Sequence, residues 1–399
     1  ALISCDDFQF YDSNLKSISK FKNKVNLEHY DLSKNGFEHF MLKEIYEQPL
    51  ACKKTLESLV DFSNKKFKFL DSTLQERLMK CNRIVLFGCG TSWHSCWIAK
   101  QYLERLAKIP VSVEYSTELR YGDVVLSEDV LAFAISQSGE TADTVGAIRF
   151  CQNVDCFLMG LCNVKGSSFS TLLDYILYTE AGVEIGVAST KAFTSQLVAL
   201  YIFSVCFALL HNRLSHEEAW NLLDLLKDVP KLLEDILAKS EPVKLLAEKY
   251  YFHRNILYLG RGLGFPIALE GALKMKEVAY IHAEGYHAGE MKHGPLALID
   301  RYMPVLFLAL DGNGRRYRKI LNNISEISAR GGRLIIFATE GNDDFNGLVN
   351  DVIYLPDVEP MLSCLISVVP LQLFSYYVAC LRNCEVDRPR NLAKSVTVE

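Results

Sequence analysis

The spacing of apolar positions changes character several times along this 399-residue chain. Over residues 1–36 short apolar runs alternate with polar clusters, which reads as a hairpin remnant and a linker with no core of its own. From Phe37 the spacing turns helical, through MLKEIYEQP and a long segment at 51–80. Unbroken apolar, β-branched runs follow at 83–87 (RIVLF), 111–115, 130–135 (VLAFAI), 157–162 and 175–178, with helical spacing at 92–107 and 141–153 between them. Such runs mark strands covered on both faces, as in a parallel sheet. A long apolar helix is expected from about 189 to 211.

The same order then returns, with strands expected at 255–259, 304–310, 333–338 and 351–355. In both halves the first strand ends in a Gly-x-Gly turn, Gly88-Cys89-Gly90 and Gly260-Arg261-Gly262. A repeat this long is no solenoid. It predicts an α/β protein with two doubly wound parallel-sheet domains related by duplication, at 41–240 and 241–381. Residues 1–40 precede them and a tail at 382–399 follows. Ligands of such sheets bind beyond the carboxyl ends of the strands.

Composition narrows the class. With 49% apolar and 23% charged residues the chain is ordinary for a soluble protein, and a net charge of −5 offers nothing to a polyanion, so nucleic acid is set aside. Twelve cysteines form no C-x-x-C pair and lack histidines at zinc spacing, which suits reduced, buried thiols in a cytoplasmic protein. The uncharged run 197–210 is too short to span a bilayer. The run 361–381 is long enough, but it carries Pro370 and Gln372 and lacks basic flanks, so both are expected as packed helices and no membrane partner is expected. Ala1 and the acidic segment after it contain no basic n-region of a signal peptide.

Candidate chemistry gathers at the turns. Trp93 takes the third-glycine place of a dinucleotide fingerprint, where a pyrophosphate needs close approach. Thr91 and Ser92 then suit a compact phosphate monoester, or simply a helix cap. Ser136, Gln137, Ser138 and Thr141 pack three hydroxyls around the next strand-to-helix turn, with Gly139 letting backbone come close, more hydroxyls than capping demands. A third Gly-rich loop, 182–191, reads as a structural turn. In 266–280, Glu270, Lys274 and Glu277 recur at i, i+4, i+7 on one face: a solvated stripe, or, turned inward, a carboxylate shuttling protons beside an ammonium. Residues 281–295 hold three histidines and two glutamates, yet Gly285, Gly289, Gly294 and Pro295 break any HExxH-like helix. Acid–base work by a loop histidine fits better, and no metal or cofactor is expected. The segment 387–399 reads alone as a frayed end.

Together the motifs MLKEIYEQP, GCGTS, SQSGET, GVASTKAFT, GRG with ALEGALKMKE, HAGEMKHGPLALI and DRPRNLAKSVTVE resemble the isomerase half of the glutamine–fructose-6-phosphate aminotransferase family, in order over residues 37–399. SQSGET marks sugar-isomerase (SIS) domains generally; the other motifs are narrower. The resemblance implies two SIS domains with a C-terminal tail over the site, and conversion of fructose 6-phosphate and ammonia to glucosamine 6-phosphate. It implies that Thr91, Ser92, Ser136, Gln137, Ser138 and Thr141 hold the phosphate and adjacent hydroxyls, with Val187, Ser189 and Ala393 lining the sugar. Glu277 would carry the proton between C1 and C2 beside Lys274, and His293 from the neighbouring subunit would open the ring. Lys394 would meet the open-chain carbonyl and Arg390 would order the tail. It also implies a homodimer with a shared site, and an N-terminal glutaminase domain whose last strands resemble residues 1–36. The chain alone would interconvert fructose 6-phosphate and glucose 6-phosphate. A non-catalytic SIS sensor is the rival expectation.

Overall fold

The computed structural model describes residues 2–5, 7–19, 32–310, 314–345 and 347–398. The chain forms two compact units, Ala1–Ser33 and Lys34–Glu399. In the first, Leu2–Ile3, Phe8–Tyr11 and Ser17–Ile18 make a small antiparallel sheet. Most of the expected linker lies outside the described residues.

The second unit holds two five-stranded parallel sheets. Strands β1 (Arg83–Gly88), β2 (Val111–Tyr115), β3 (Val130–Ile135), β4 (Phe157–Cys162) and β5 (Tyr175–Tyr178) lie in the order β5-β4-β3-β1-β2. Strands β6 (Asn255–Gly260), β7 (His282–His287), β8 (Pro304–Ala309), β9 (Arg333–Thr339) and β10 (Asp351–Leu355) lie in the order β7-β6-β8-β9-β10. Counted within each half the order is the same, so the duplication expected from the repeated pattern is present. Every residue of β3, β4 and β8 is buried, which is why these strands read as continuous apolar runs.

Six helices matter for the site: α1 (Phe40–Tyr46), α2 (Thr91–Leu106), α3 (Ala142–Cys151), α4 (Lys191–Leu210), α5 (Gly264–Ala279) and α6 (Ser363–Leu381). The two apolar stretches are α4 and the segment ending in α6. Windows within Lys191–Leu210 and Pro360–Leu381 are 89% and 83% buried, and both helices join one core cluster spanning the two sheets. Gln372 has its own reason to sit there: its Oε1 accepts from Gln48 Nε2 at 2.9 Å inside the core.

Two expectations are corrected. The segment 51–80 is not one helix. It is a helix at Gln48–Leu59, a hairpin of Val60–Asp61 with Lys66–Phe67, and a helix at Ser72–Lys80 capped by Asp71, whose carboxylate accepts from Leu74 N–H at 2.7 Å. Residues His282–His287 are not loop but edge strand β7, parallel to β6. Gly285 is needed there because a Cβ would stand 2.8 Å from Leu269 Cα on α5.

Candidate active site

In each sheet the strand order reverses between the first and third strands, where a crevice opens at their carboxyl ends. In the first sheet the turns Gly88–Ser92 and Ser136–Thr141 flank that crevice. The cap of α2 is Gly90, in the left-handed region at φ 53°, and no side chain caps this helix. Thr91 is therefore not used as a cap. Its hydroxyl donates to Glu270 Oε1 at 3.1 Å and accepts from Lys274 Nζ at 3.1 Å, both on α5.

The face formed by Glu270, Lys274 and Glu277 is turned inward. Lys274 is 1% exposed and Glu270 fully buried; the Glu277 side chain retains 22% exposure. Lys274 Nζ lies 2.6 Å from Glu277 Oε2 and 3.3 Å from Glu270 Oε1. Burial alone would lower the pKa of Lys274, but the two carboxylates outweigh it and push it above the ordinary amine value. Glu270 shows the mirror balance: burial favours its neutral form, yet Lys274, the His94 hydrogen bond and Thr91 hold its pKa below the ordinary value. The stripe is thus an inward ion cluster, with the Glu277 carboxylate left partly open.

At the hydroxyl-rich turn, Ser136 Oγ accepts from Gly139 N–H at 3.0 Å and Ser138 Oγ from Glu140 N–H at 3.2 Å. Ser136 and Thr141 hydroxyls are 3.4 Å apart. No side chain caps α3. Glu140 pins the turn from behind, accepting from Ser168 N–H and Oγ–H, each at 2.7 Å. Helix α3 is closed instead by the tail, where the Val396 carbonyl accepts from Ala142 N–H at 2.9 Å. On α2, Ser92 Oγ accepts from Gln196 Nε2 at 3.1 Å.

The tail is not frayed. Lys394 Nζ donates to Glu184 Oε2 at 2.6 Å and to the Gly186 carbonyl at 2.8 Å. Glu184, fully buried, caps α4 with its other oxygen by accepting from Thr190 and Ala192 N–H. Burial works against its charge, but Lys394 and these donors keep its pKa low. Arg390 N–H donates to Tyr280 Oη at 2.8 Å and its guanidinium lies 4.3 Å from that ring, at the end of α5. Asp387 accepts from Phe40 and Met41 N–H, each at 2.9 Å, while its carbonyl accepts from Val187 N–H. Glu44 of α1 accepts from Ile185 and Gly186 N–H. Helix α1 thus holds both the 182–190 loop and the tail.

The SIS domain matches twice, over residues 77–205 and 249–382. The solved C-terminal domain of glucosamine-fructose-6-phosphate aminotransferase from Francisella tularensis is 40% identical, with a TM-score of 0.85, covering 90% of this chain and 100% of that one. The chain belongs to this aminotransferase family. Curated glutamine–fructose-6-phosphate aminotransferases [isomerizing] from Chlorobaculum tepidum and Aquifex aeolicus are 48% and 45% identical over 92% and 99% of this chain. The chain spans 60% and 64% of their length. Tagatose-6-phosphate ketose/aldose isomerase from Escherichia coli shares the fold at 19% identity, with a TM-score of 0.74.

The fold brings together most residues that the aminotransferase resemblance singled out. Thr91, Lys274 and Glu277 form one cluster. Ser136, Gln137, Ser138 and Thr141 form one turn, and Ser189 lies in the same loop as Val187, beside the Lys394 contact. Ala393 is exposed next to Lys394. His293 is exposed at the end of a 3-10 turn, Ala288–His293, and among the described residues no hydrogen bond or ion pair joins it to Lys274 or Glu277. Glu44, Glu184, Asp387, Gln196 and His94 were missed as site residues, because each acts through a partner distant in sequence.

Proposed function

We propose that this chain is the isomerase half of a glutamine–fructose-6-phosphate aminotransferase: it binds fructose 6-phosphate and converts it, with ammonia, to glucosamine 6-phosphate. The observation that carries this reading is the Lys274–Glu277 contact at 2.6 Å, placed beside the phosphate-type turn through Thr91. The hydroxyls and N–H groups of Thr91, Ser92, Ser136, Gln137, Ser138 and Thr141 grip the phosphate as neutral donors, selecting by geometry. The hexose then extends toward α5, with Val187, Ser189 and Ala393 along its flank and Arg390 anchoring the tail.

The chemistry divides among few groups. His293 of a neighbouring subunit opens the furanose ring by proton transfer. Lys394 leaves its pair with Glu184, gives its ammonium proton to solvent and attacks the C2 carbonyl as a neutral amine, and water leaves as a Schiff base forms. Ammonia displaces the lysine, leaving an imine at C2. The Glu277 carboxylate takes a proton from C1 and returns it to C2, the imine nitrogen gains the proton that the O1 hydroxyl gives up so that C1 becomes the aldehyde carbon, and the Lys274 ammonium stabilises the negative charge developing on O1. The proton moves and no electron pair is lost to an acceptor, so the reading invokes no cofactor. It places the protein in the cytoplasm, where its twelve free thiols belong, as a homodimer with a glutaminase domain as its source of ammonia. The small antiparallel sheet of Leu2–Ile3, Phe8–Tyr11 and Ser17–Ile18 fits the last strands of such a domain.

The test is direct. Incubated with fructose 6-phosphate, the chain should form glucose 6-phosphate, and with added ammonium salt glucosamine 6-phosphate. Glu277→Gln should lower kcat by roughly 10²- to 10⁴-fold while calorimetric affinity for fructose 6-phosphate stays within about threefold. A variant that turns over at the parent rate would leave only the sugar-phosphate sensor.

A further inference from the structure

His94 is buried and has no part in the proposed chemical steps, although it is hydrogen-bonded to Glu270. It stands one turn after Thr91 on α2, 8% exposed, with Nδ1 2.6 Å from Glu270 Oε2. A carboxylate only accepts, so the imidazole donates. Among the described residues the polar partners of the Glu270 carboxylate are His94 at Oε2 and Thr91 and Lys274 at Oε1. Thr91 and His94 are at i, i+3 on one helix; Glu270, Lys274 and Glu277 are at i, i+4, i+7 on the other. Two faces from opposite lobes therefore close into one network.

Its charges need His94. Glu270 and Glu277 with Lys274 leave one excess negative charge, and the fully buried Glu270 is the member that water cannot reach. With His94 donating to its outer oxygen, Glu270 stays ionised and keeps a share of the Lys274 ammonium. Without that donor Glu270 would take up a proton or turn away, and Lys274 would settle wholly on Glu277, 2.6 Å off, blunting the carboxylate as a base. Packing fixes the imidazole. The neighbouring Trp93 ring lies 5.6 Å from it by centroid, stacked 4.2 Å from Tyr115 on β2.

We propose that His94 is a positioning residue: acting through Glu270, it keeps the Lys274 ammonium shared with a second carboxylate, so that Glu277, although hydrogen-bonded to it at 2.6 Å, keeps more of its strength as the base for the C1 proton. The inference rests on the isomerase reading above. It predicts that His94→Leu lowers kcat for fructose 6-phosphate isomerisation by about tenfold or more with KM within about threefold of the parent, since the loss falls on proton transfer and not on the phosphate turn. His94→Asn, whose Nδ2 occupies the place of Nδ1, should recover to within about threefold of the parent kcat. Glu270→Gln should show the same kcat loss, and combined with His94→Leu the two losses should not multiply. If His94→Leu does not fold, His94→Asn against Glu270→Gln carries the comparison. A parent-like kcat in Glu270→Gln or His94→Leu, a loss confined to KM, or no rescue by asparagine overturns the inference while the isomerase reading stands. A parent chain that turns over no fructose 6-phosphate overturns both.

Discussion

Lys394 is tethered to Glu184 by a 2.6 Å ion pair that crosses 210 positions of sequence. In the proposed mechanism that pair must open before Lys394 can attack a carbonyl. Borohydride added with fructose 6-phosphate should attach one hexose phosphate to the peptide containing Lys394, and Lys394→Arg should abolish the label. Glu184→Gln should loosen the tail and lower kcat by about tenfold, read in the same isomerase assay.

Glu44 makes stability depend on pH. Burial, then the neighbouring Glu184 carboxylate, push its pKa from the ordinary 4.5 up to about 8. Between those values the unfolded chain has lost a proton that the folded chain retains. Stability therefore falls as pH rises from about 4.5 to about 8, by at most about 1.4 kcal/mol per pH unit for one such group, and levels off above. Glu44→Gln, which keeps an acceptor for Ile185 and Gly186, should flatten this slope in melting temperatures measured from pH 5 to 9.

Gly139 tests the turn proposed to hold the phosphate. Its φ is +66°, and a Cβ would stand 2.2 Å from Ser167 Oγ and 2.8 Å from Cys162 Sγ. Gly139→Ala should cost about 1–3 kcal/mol in urea unfolding and raise the KM for fructose 6-phosphate about tenfold. The exposed Gly166→Ala, also at positive φ but meeting nothing within 4 Å, separates backbone strain from the clash.

His293 is proposed to work in the partner's site. His293→Ala and Lys394→Ala should each be nearly inactive alone, and mixing after dissociation should restore up to about a quarter of parent activity through one intact site per hybrid dimer. Hybrids shown to form by mass spectrometry but lacking activity would place ring opening elsewhere.

The sheets were legible because burial on both faces leaves an unmistakable apolar run, as in VLAFAI and VLFLAL. The i, i+4, i+7 stripe on α5 was legible as a shared face, but its direction was not, since a salt-bridged surface has the same spacing. Strand β7 escaped because an edge strand with glycine and histidine carries no alternation; its register comes from β6 and from Leu269 pressed against Gly285. The supports of the site escaped for another reason. Glu184 looked like one residue of a glycine-rich turn, and Asp387 like part of a loose end, because their partners sit hundreds of residues away and leave no local pattern.

Phe40 and Asp387 are joined across 347 positions. A closure of that span bears a large entropic cost until the sheets between are built, so it belongs among the last events of folding. Competence is accordingly acquired at the end. Under the proposed mechanism, a molecule with either lobe unfinished has the Lys394 amine unplaced and stays chemically silent, releasing no half-made imine before the walls that contain it exist.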